Sequence, residues 1–514
     1  MGKRISSLLI IVIVIIAAFL RLYRISDYMT FLGDEGRDVL VAKGILEGHL
    51  TLLGPRASAG DFFTGPIYYY LMTPFLWLFR LDPVGPAVMV ALLSVGTVFL
   101  IYYLGKKWFD NTTGLVAAAL YSVSPLVITY SHSSWNPNVV PFFSLVTIVF
   151  LSKAVTTINA WKQYVLVGFF LGICVQLHYI SIFLGVIVAV SLFFAQWYVK
   201  GFIAIFPLIR HYMQIFIGFL LGFSPFLAFE VRHHFQNTQA IFSFITHDTT
   251  QTGYMTYNAF YEPIADVFFR LFARLLFAFP VPVDYVKSPL LSLQLFGLTI
   301  ICCAIASLIL LIKQKNKVVV IILSTWIILG TLLFGFYKKP IYDYYLVFAF
   351  PLPFFLFGNL VSHVARLRYN KIPYGIGLSL IIFVIIFGYN ISQNTFKNEP
   401  NRQKEQARTI ASFVLSKTDN KPFNFALLTP GNSDHAYRYY FEVLGNKPIS
   451  IDISQNDPER KTVTDQLLVV CEDINCKPLN HPLFEIAGFG PASNVGNWDV
   501  SVVKVYKLVH TTFY

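Results

Sequence analysis

Residues 3–22 read KRISSLLIIVIVIIAAFLRL: Lys3-Arg4, then an apolar run from Ile5 to Leu22. A helix needs about 17 to 25 such residues to cross the ~30 Å hydrocarbon core of a bilayer. No small-residue cleavage site follows, so the run reads as a signal anchor that is kept, with the N-terminus cytoplasmic. The rest of the 514-residue chain has the same character: 56% hydrophobic, 17% aromatic and 13% charged, with a mean hydropathy of +0.61. A soluble domain of that size is far less apolar. The expected fold is an α-helical polytopic membrane protein.

Eleven spans are expected, at 5–24, 84–104, 114–130, 139–156, 163–178, 180–198, 212–229, 289–312, 318–336, 344–361 and 373–391. An odd number places the C-terminus outside. The segments this assigns to the cytoplasm carry Lys106, Lys107, Lys153, Lys162, Lys200, Arg210, Lys313, Lys315, Lys317, Arg366, Arg368 and Lys371 but one acid, Asp110. That is the positive-inside bias, and it explains the net charge of +12 without nucleic acid. Residues 65–79 are apolar but short and interrupted by Pro74, so they read as an interfacial or juxtamembrane helix. Residues 264–279 have helical apolar spacing with Arg270 and Arg274 one turn apart, which predicts a helix along the membrane surface.

Composition changes after the last span. Residues 393–514 hold 13 Lys/Arg and 13 Asp/Glu, so the whole charge excess lies before them. Two modules follow: 1–392, a transmembrane module with external loops at 25–83, 131–138, 230–288 and 337–343, and 393–514, an external α/β domain. Its pattern predicts helices at 402–417 and 435–444 and strands at 423–428, 448–453, 466–471 and 500–508. Cys174, Cys302 and Cys303 lie in apolar runs as ordinary small residues. Cys471 and Cys476 enclose four residues, and an oxidising compartment permits a disulfide there without requiring one.

Chemistry is expected first in the external loop from Asp27 to Gly65, where Asp34, Glu35, Asp38, Glu47 and Asp61 lie with Arg37, Lys43 and Arg56 between apolar segments. Two readings of Asp34-Glu35 stand. Asp34 can simply cap a helix over Glu35–Leu46, with Glu35 favoured by the helix dipole. Alternatively the adjacent carboxylates divide labour, one as a base and the other as an organiser.

Asp-Glu after the first span, followed by Thr64-Gly65-Pro66-Ile67-Tyr68-Tyr69-Tyr70 and a basic turn Gly105-Lys106-Lys107-Trp108-Phe109, resembles the GT-C superfamily of lipid-phosphosugar-dependent glycosyltransferases. Within it the likeness is to family 39-like enzymes, the protein O-mannosyltransferase and aminoarabinose transferase relatives, over roughly residues 1–200. The resemblance implies a GT-C-like bundle with juxtamembrane helices, and an inverting transfer from a polyprenyl-phosphate sugar to an acceptor hydroxyl on the external face of the cell membrane. It implies Asp34 as base and Glu35 as a residue shaping the acceptor or donor pocket; Asp61 and Tyr68 are further candidates for the substrate pocket. Lipid, glycan or protein could be the acceptor, and membrane lipids surround the chain.

Other candidates have plainer readings beside the functional one. Trp135 can stack on a sugar and Asn136 and Asn138 can bond its hydroxyls, yet Asn-Pro-Asn is equally a turn. These asparagines stand where several relatives carry a carboxylate, which argues against a carboxylate-bridged metal site; a divalent metal is left open, and no other cofactor follows from the residues. His178, Arg56, Lys338 and Lys339 are the candidate cations for the donor phosphate. For His178 the alternative is a local hydrogen bond, and for the lysines headgroup binding. Glu230, ahead of Arg232-His233-His234, opens the second long external segment and is a pocket candidate. Gly431-Asn432-Ser433 reads as an ordinary loop and helix cap. The rival function is a transporter or flippase of a lipid-linked saccharide; acids gathered in a loop rather than mid-span argue against it.

Overall fold

The structure, a computed structural model, describes residues 3–57, 62–201, 205–247, 257–280, 291–337, 339–369, 372–473 and 475–511. The chain divides into two compact units: Met1–Tyr23, Thr51–Leu71 and Val88–Glu399 form the first, and Arg24–Leu50, Met72–Ala87 and Pro400–Tyr514 the second.

Among the described residues eight helices are long and apolar enough to cross a membrane: Arg4–Leu22, Val84–Trp108, Asn136–Thr156, Tyr179–Val199, Ile205–Gly222, Ser292–Ile312, Lys317–Phe336 and Tyr374–Ser392. Two bent pairs, Asn111–Val123 with Pro125–Ser131 (61°) and Asp343–Ala349 with Leu352–Ala365 (62°), raise the number to ten. The chain is a multi-pass membrane protein. The remaining expected span, 163–178, is the 17-residue helix Trp161–Leu177, about 26 Å long. The expected span at 212–229 is displaced: the helix runs Ile205–Gly222, and Pro225 sits in the first turn of a separate helix, Ser224–Arg232.

The first bend has a local cause. Ser124 precedes Pro125 and is extended (φ −62°, ψ 118°), as the proline ring demands. Pro125 has no N–H for the Tyr121 carbonyl. Arg21, fully buried at the end of the first helix, supplies the missing donors: Nη2 to Tyr121 O at 3.3 Å, Nη1 to Ser122 O at 2.9 Å, and Nε to Ser94 Oγ at 2.8 Å.

Trp161–Leu177 and Ile205–Gly222 pack backbone against backbone. A Cβ at Gly168 would strike the Ile215 carbonyl, one at Gly218 the Val165 carbonyl, and one at Gly222 the Phe169 carbonyl. Gly168/Gly172 and Gly218/Gly222 are thus two small-xxx-small faces in contact, the arrangement that lets helices associate where lipid supplies no hydrophobic force. The helix expected along the membrane surface forms as Tyr261–Phe277; it packs on the helices Leu291–Ile312 and Leu352–Ala365 and buries Val267, Leu271, Phe272, Leu275 and Leu276. Its apolar stripe is answered by protein. The short helix Ile67–Leu78 holds Pro74 inside its 12 residues and rises only about 18 Å.

In the second unit the helix Gln403–Ser416 leads into strand β1 (Asn424–Leu428), helix His435–Val443, β2 (Gln466–Cys471), helix Phe484–Phe489, β3 (Ala492–Val500) and β4 (Val503–His510). The sheet order is β1-β2-β4-β3, with β1 and β2 parallel and the other pairs antiparallel. β1 and β2 are buried throughout, as a parallel pair covered on both faces must be. The strand expected at 448–453 does not form; Ile449 N bonds Phe423 O at 2.9 Å, just before β1, and the stretch then turns, with Ile453 O accepting from Asn456 N at 2.9 Å and Asp457 N at 3.0 Å. A strand not expected, β3, forms the opposite edge of the sheet, where it pairs with β4 and is largely exposed. Cys471 and Cys476 are disulfide-paired. The two earlier segments belong to this unit through specific bonds: Lys404 Nζ to Asp82 at 3.1 Å, Arg402 N to Asp27 O at 2.9 Å, and the Tyr439 hydroxyl to Leu81 O.

Candidate active site

Asp34 and Glu35 lie in the second unit, in the first turn of the helix Gly33–Leu46. The helix begins one residue before Asp34, so Asp34 is not its cap. Glu35 does that work: it is buried, and its Oε2 accepts from Leu32 N at 3.1 Å. Asp34 is left half exposed, at 51% of its side chain, with its Oδ1 2.8 Å from Arg37 Nη1. Arg37 also donates from Nε and Nη2 to Asp38 Oδ1 at 3.0 and 2.7 Å. Asp38 is fully buried, and its Oδ2 has no partner among the described residues. Burial pushes its carboxyl up to about 7, against the opposing pull of Arg37. One guanidinium thus serves two carboxylates of opposite environment.

A second constellation lies within the first unit, at the junctions between helices. The 3-10 turn Asn136–Val139 places Asn136 to donate from Nδ2 to Leu177 O and Asn138 to donate from Nδ2 to Ser133 O at 3.0 Å. Tyr68 is fully buried with its hydroxyl 2.9 Å from Ser134 Oγ. Trp135 meets the Tyr344 ring edge-on at 4.5 Å. His178, buried, stacks on Tyr179 at 4.8 Å and meets Tyr344 and Tyr345 at 5.7 and 5.6 Å. The structure therefore brings Tyr68, Trp135, Asn136, Asn138 and His178 into one polar and aromatic knot.

Nearby, residues 54–57 pair with 62–64: Arg56 is bridged to Phe63, and Gly54 N donates to Thr64 O at 2.9 Å. Asn237 clamps Phe63 on both sides, accepting from its N–H at 2.6 Å and donating to its carbonyl at 3.0 Å. Glu230 is buried, with Oε2 accepting from Thr238 N at 2.9 Å and Oε1 unpartnered among the described residues. A cavity of about 410 Å³ opens here, walled almost wholly by apolar side chains: Phe62, Phe63, Ile180, Phe183, Phe223 and Phe336, with Tyr179 and Tyr337 also in its lining. Lys339 is half-buried. Lys338 and Asp61 lie outside the described residues.

Residues 64–229 match the family model of dolichyl-phosphate-mannose-protein mannosyltransferase. No curated protein matches the chain in sequence. Among solved structures, ArnT from Cupriavidus metallidurans bound to undecaprenyl phosphate superposes with a TM-score of 0.61 at 12% identity, over 98% of this chain and 98% of that one. The fold is that of the GT-C glycosyltransferases. The archaeal oligosaccharyltransferase AglB from Archaeoglobus fulgidus, in complex with an inhibitory peptide and a dolichol-phosphate, shares this GT-C fold (TM-score 0.55, 12% identity, 91% of this chain and 69% of that one). The arabinofuranosyltransferase AftD from Mycobacteria does so as well (TM-score 0.52, 11% identity, 100% of this chain and 42% of that one).

Several polar residues beside these candidates escape a reading by residue type. Gln176, a lone amide in an apolar run, is buried: its Oε1 accepts from Ile67 N at 3.3 Å, its Nε2 donates to Gly222 O at 2.6 Å, and its carbonyl accepts from Gly65 N at 3.1 Å. Asp343 gathers Arg274 Nε at 3.0 Å and Arg270 Nη1 at 3.4 Å, and Arg270 also meets Asp266 at 2.8 Å. The signal was present as the one-turn spacing of the arginines and the acid just before Tyr344-Tyr345, but nothing in the spacing joined them. Among the described residues no group of three or more His, Cys, Asp or Glu is placed to hold a metal ion. His233 spends its Nδ1 on Phe229 O at 3.0 Å.

Proposed function

We infer that this chain is a membrane glycosyltransferase that moves a sugar from a polyprenyl-phosphate donor to an acceptor hydroxyl, with inversion at the anomeric carbon. The observation that carries the reading is the apolar cavity beside Tyr179 and Tyr337, within a chain of GT-C fold whose residues 64–229 match the mannosyltransferase model. An isoprenoid chain needs an apolar slot, and the almost wholly apolar walls of this cavity suit one. ArnT and AglB, of like fold, are bound to undecaprenyl phosphate and dolichol-phosphate.

Asp34 is the proposed base. Its carboxylate is free of capping duty and half exposed, so it can take the acceptor's proton as the oxygen attacks. Glu35 fixes the backbone that presents it. Lys339 and Arg56, with Lys338, are the proposed cations for the donor phosphate; charge that grows on the departing phosphate is what they would stabilise. His178 reads better as an aromatic and hydrogen-bonding wall than as a cation, because it is buried among tyrosine rings. Tyr68, Trp135, Asn136, Asn138, Glu230 and Asp61 are proposed to shape the substrate pocket. The N-terminus is proposed to be cytoplasmic and the second unit external, on the distribution of Lys and Arg and on the Cys471–Cys476 pair.

The test is product analysis. Membranes holding the full chain are given polyprenyl-phosphate mannose, glucose, arabinose or aminoarabinose, labelled in the sugar, with envelope lipids and glycans as acceptors. A labelled glycoconjugate with release of polyprenyl phosphate is expected. Label that crosses the membrane with no covalent product contradicts the reading and makes the chain a transporter.

A further inference from the structure

We propose that the C-terminal domain is the cradle of the Asp34 segment, and that Asn432, held by Glu472, is a positioning residue for sugar transfer. The inference rests on the reading of Asp34 as the base. All of the residues concerned belong to the second unit.

The parallel strands β1 and β2 end at Leu428 and Cys471. In open α/β sheets, the crevice beyond the carboxyl ends of parallel strands is where a ligand is held. Here the loops leaving those ends hold the start of the helix Gly33–Leu46. Asn432 Oδ1 accepts from Gly33 N at 2.9 Å, satisfying from another segment one of the donors that a helix N-terminus leaves open. Leu32, the residue before the helix, has no side chain that can do so.

Asn432 is itself fixed. Its Nδ2 donates to Glu472 Oε1 at 3.0 Å, its own N–H bonds Thr429 Oγ1 at 3.2 Å, and its Oδ1 also accepts from Ser433 N at 2.8 Å. Glu472 is held in turn by the Tyr437 hydroxyl at 2.9 Å and the Thr429 hydroxyl at 2.7 Å. Contact is close enough to exclude side chains. A Cβ at Gly33 would strike Ser433 Oγ, and one at Gly36 would strike the Ala436 backbone. The glycines on either side of Asp34-Glu35 therefore admit this loop, and the asparagine sets where the first turn starts. A shift of that turn moves the Asp34 carboxylate with it, and misplacement of a catalytic group by about 1 Å can cost about a hundredfold in rate.

The experiment compares the purified full chain with Asp34→Asn, Asn432→Ala, Asn432→Asp and Asn432→Asp combined with Glu472→Gln. Two quantities are read: hydrogen exchange at the Gly33–Gly36 amides, and kcat and KM with the labelled polyprenyl-phosphate sugar that the wild type turns over. Asn432→Ala is expected to speed exchange and to lower kcat by roughly ten- to a hundredfold with donor KM nearly unchanged, because the lost contact orients the base and binds no substrate. Asn432→Asp opposes two carboxylates and should fall likewise. Adding Glu472→Gln restores a donor to the pair, and kcat should return to within about threefold of wild type, the coupling a double-mutant cycle measures.

Wild-type exchange and kcat in Asn432→Ala overturn the proposal, as does a loss in Asn432→Asp that Glu472→Gln leaves unrepaired. Should Asn432→Ala fail to fold, the repair alone decides. Full transfer by Asp34→Asn sinks the base assignment; an inactive Asp34→Asn beside a fully active Asn432→Ala sinks only the positioning role.

Discussion

Arg37 is the residue on which the electrostatics of the Asp34 turn depend, because it divides its donors between the half-exposed Asp34 and the buried Asp38. Burial raises Asp38 to about 7 from 3.8. Between those values the native state holds a proton that the unfolded chain releases. This contribution to stability is therefore complete below about pH 4 and is lost as pH rises through about 7. His435, whose ring nitrogen bonds Ser433 Oγ at 2.7 Å, works the other way: burial lowers its pKa, and it costs stability as pH falls below its ordinary value. The two are separated by substitution. In Asp38→Asn the thermal midpoint of the purified chain should fall less between pH 5 and pH 8 than in wild type; equal falls contradict the account. The sequence showed the acids of this turn but not their division of labour. Residue type allowed Asp34 to be a cap, and only the helix start at Gly33 gives that role to Glu35.

At the scale of elements, the crossing of Trp161–Leu177 with Ile205–Gly222 is set by glycines whose Cβ positions fall on backbone carbonyls. Gly218→Leu must separate these helices and should cost about 1–3 kcal/mol or more, seen as a lower thermal midpoint and lower yield of folded chain. Gly377→Leu is the control: nothing lies within 4 Å of its Cβ position. Equal effects of the two would contradict the packing. Long apolar runs made most helices legible, since length and hydropathy suffice for a span. The Ser124-Pro125 break was less legible, because Arg21 rescues the freed carbonyls from a distant part of the chain. β3 was missed for a different reason: ASNVGNWDV is an exposed edge with little apolar alternation, held by pairing to β4 rather than by burial. Ile264–Phe279 was legible as a helix, but not what covers its stripe, because an amphipathic pattern looks the same whether lipid or protein lies against it.

At the scale of the whole molecule, composition marks a boundary near residue 392, where the charge excess ends. Packing does not follow it, because Arg24–Leu50 and Met72–Ala87 fold with Pro400–Tyr514. Partnerships between distant segments, such as Gly33 with Asn432, carry no local signal in a single sequence. Topology remains directly testable. A cysteine placed by Glu459→Cys should react with a membrane-impermeant thiol reagent on intact cells, and one placed by Asn159→Cys only after permeabilisation; the reverse order overturns the proposed orientation. The central claim is that sugar transfer depends on the Asp34 carboxylate, and one measurement bears on it most directly: incorporation of labelled sugar from its polyprenyl-phosphate donor by wild type and by Asp34→Asn, each inserted in the membrane to the same level. Transfer should be lost by a factor of at least about 100 in Asp34→Asn; transfer near the wild-type rate would contradict the account.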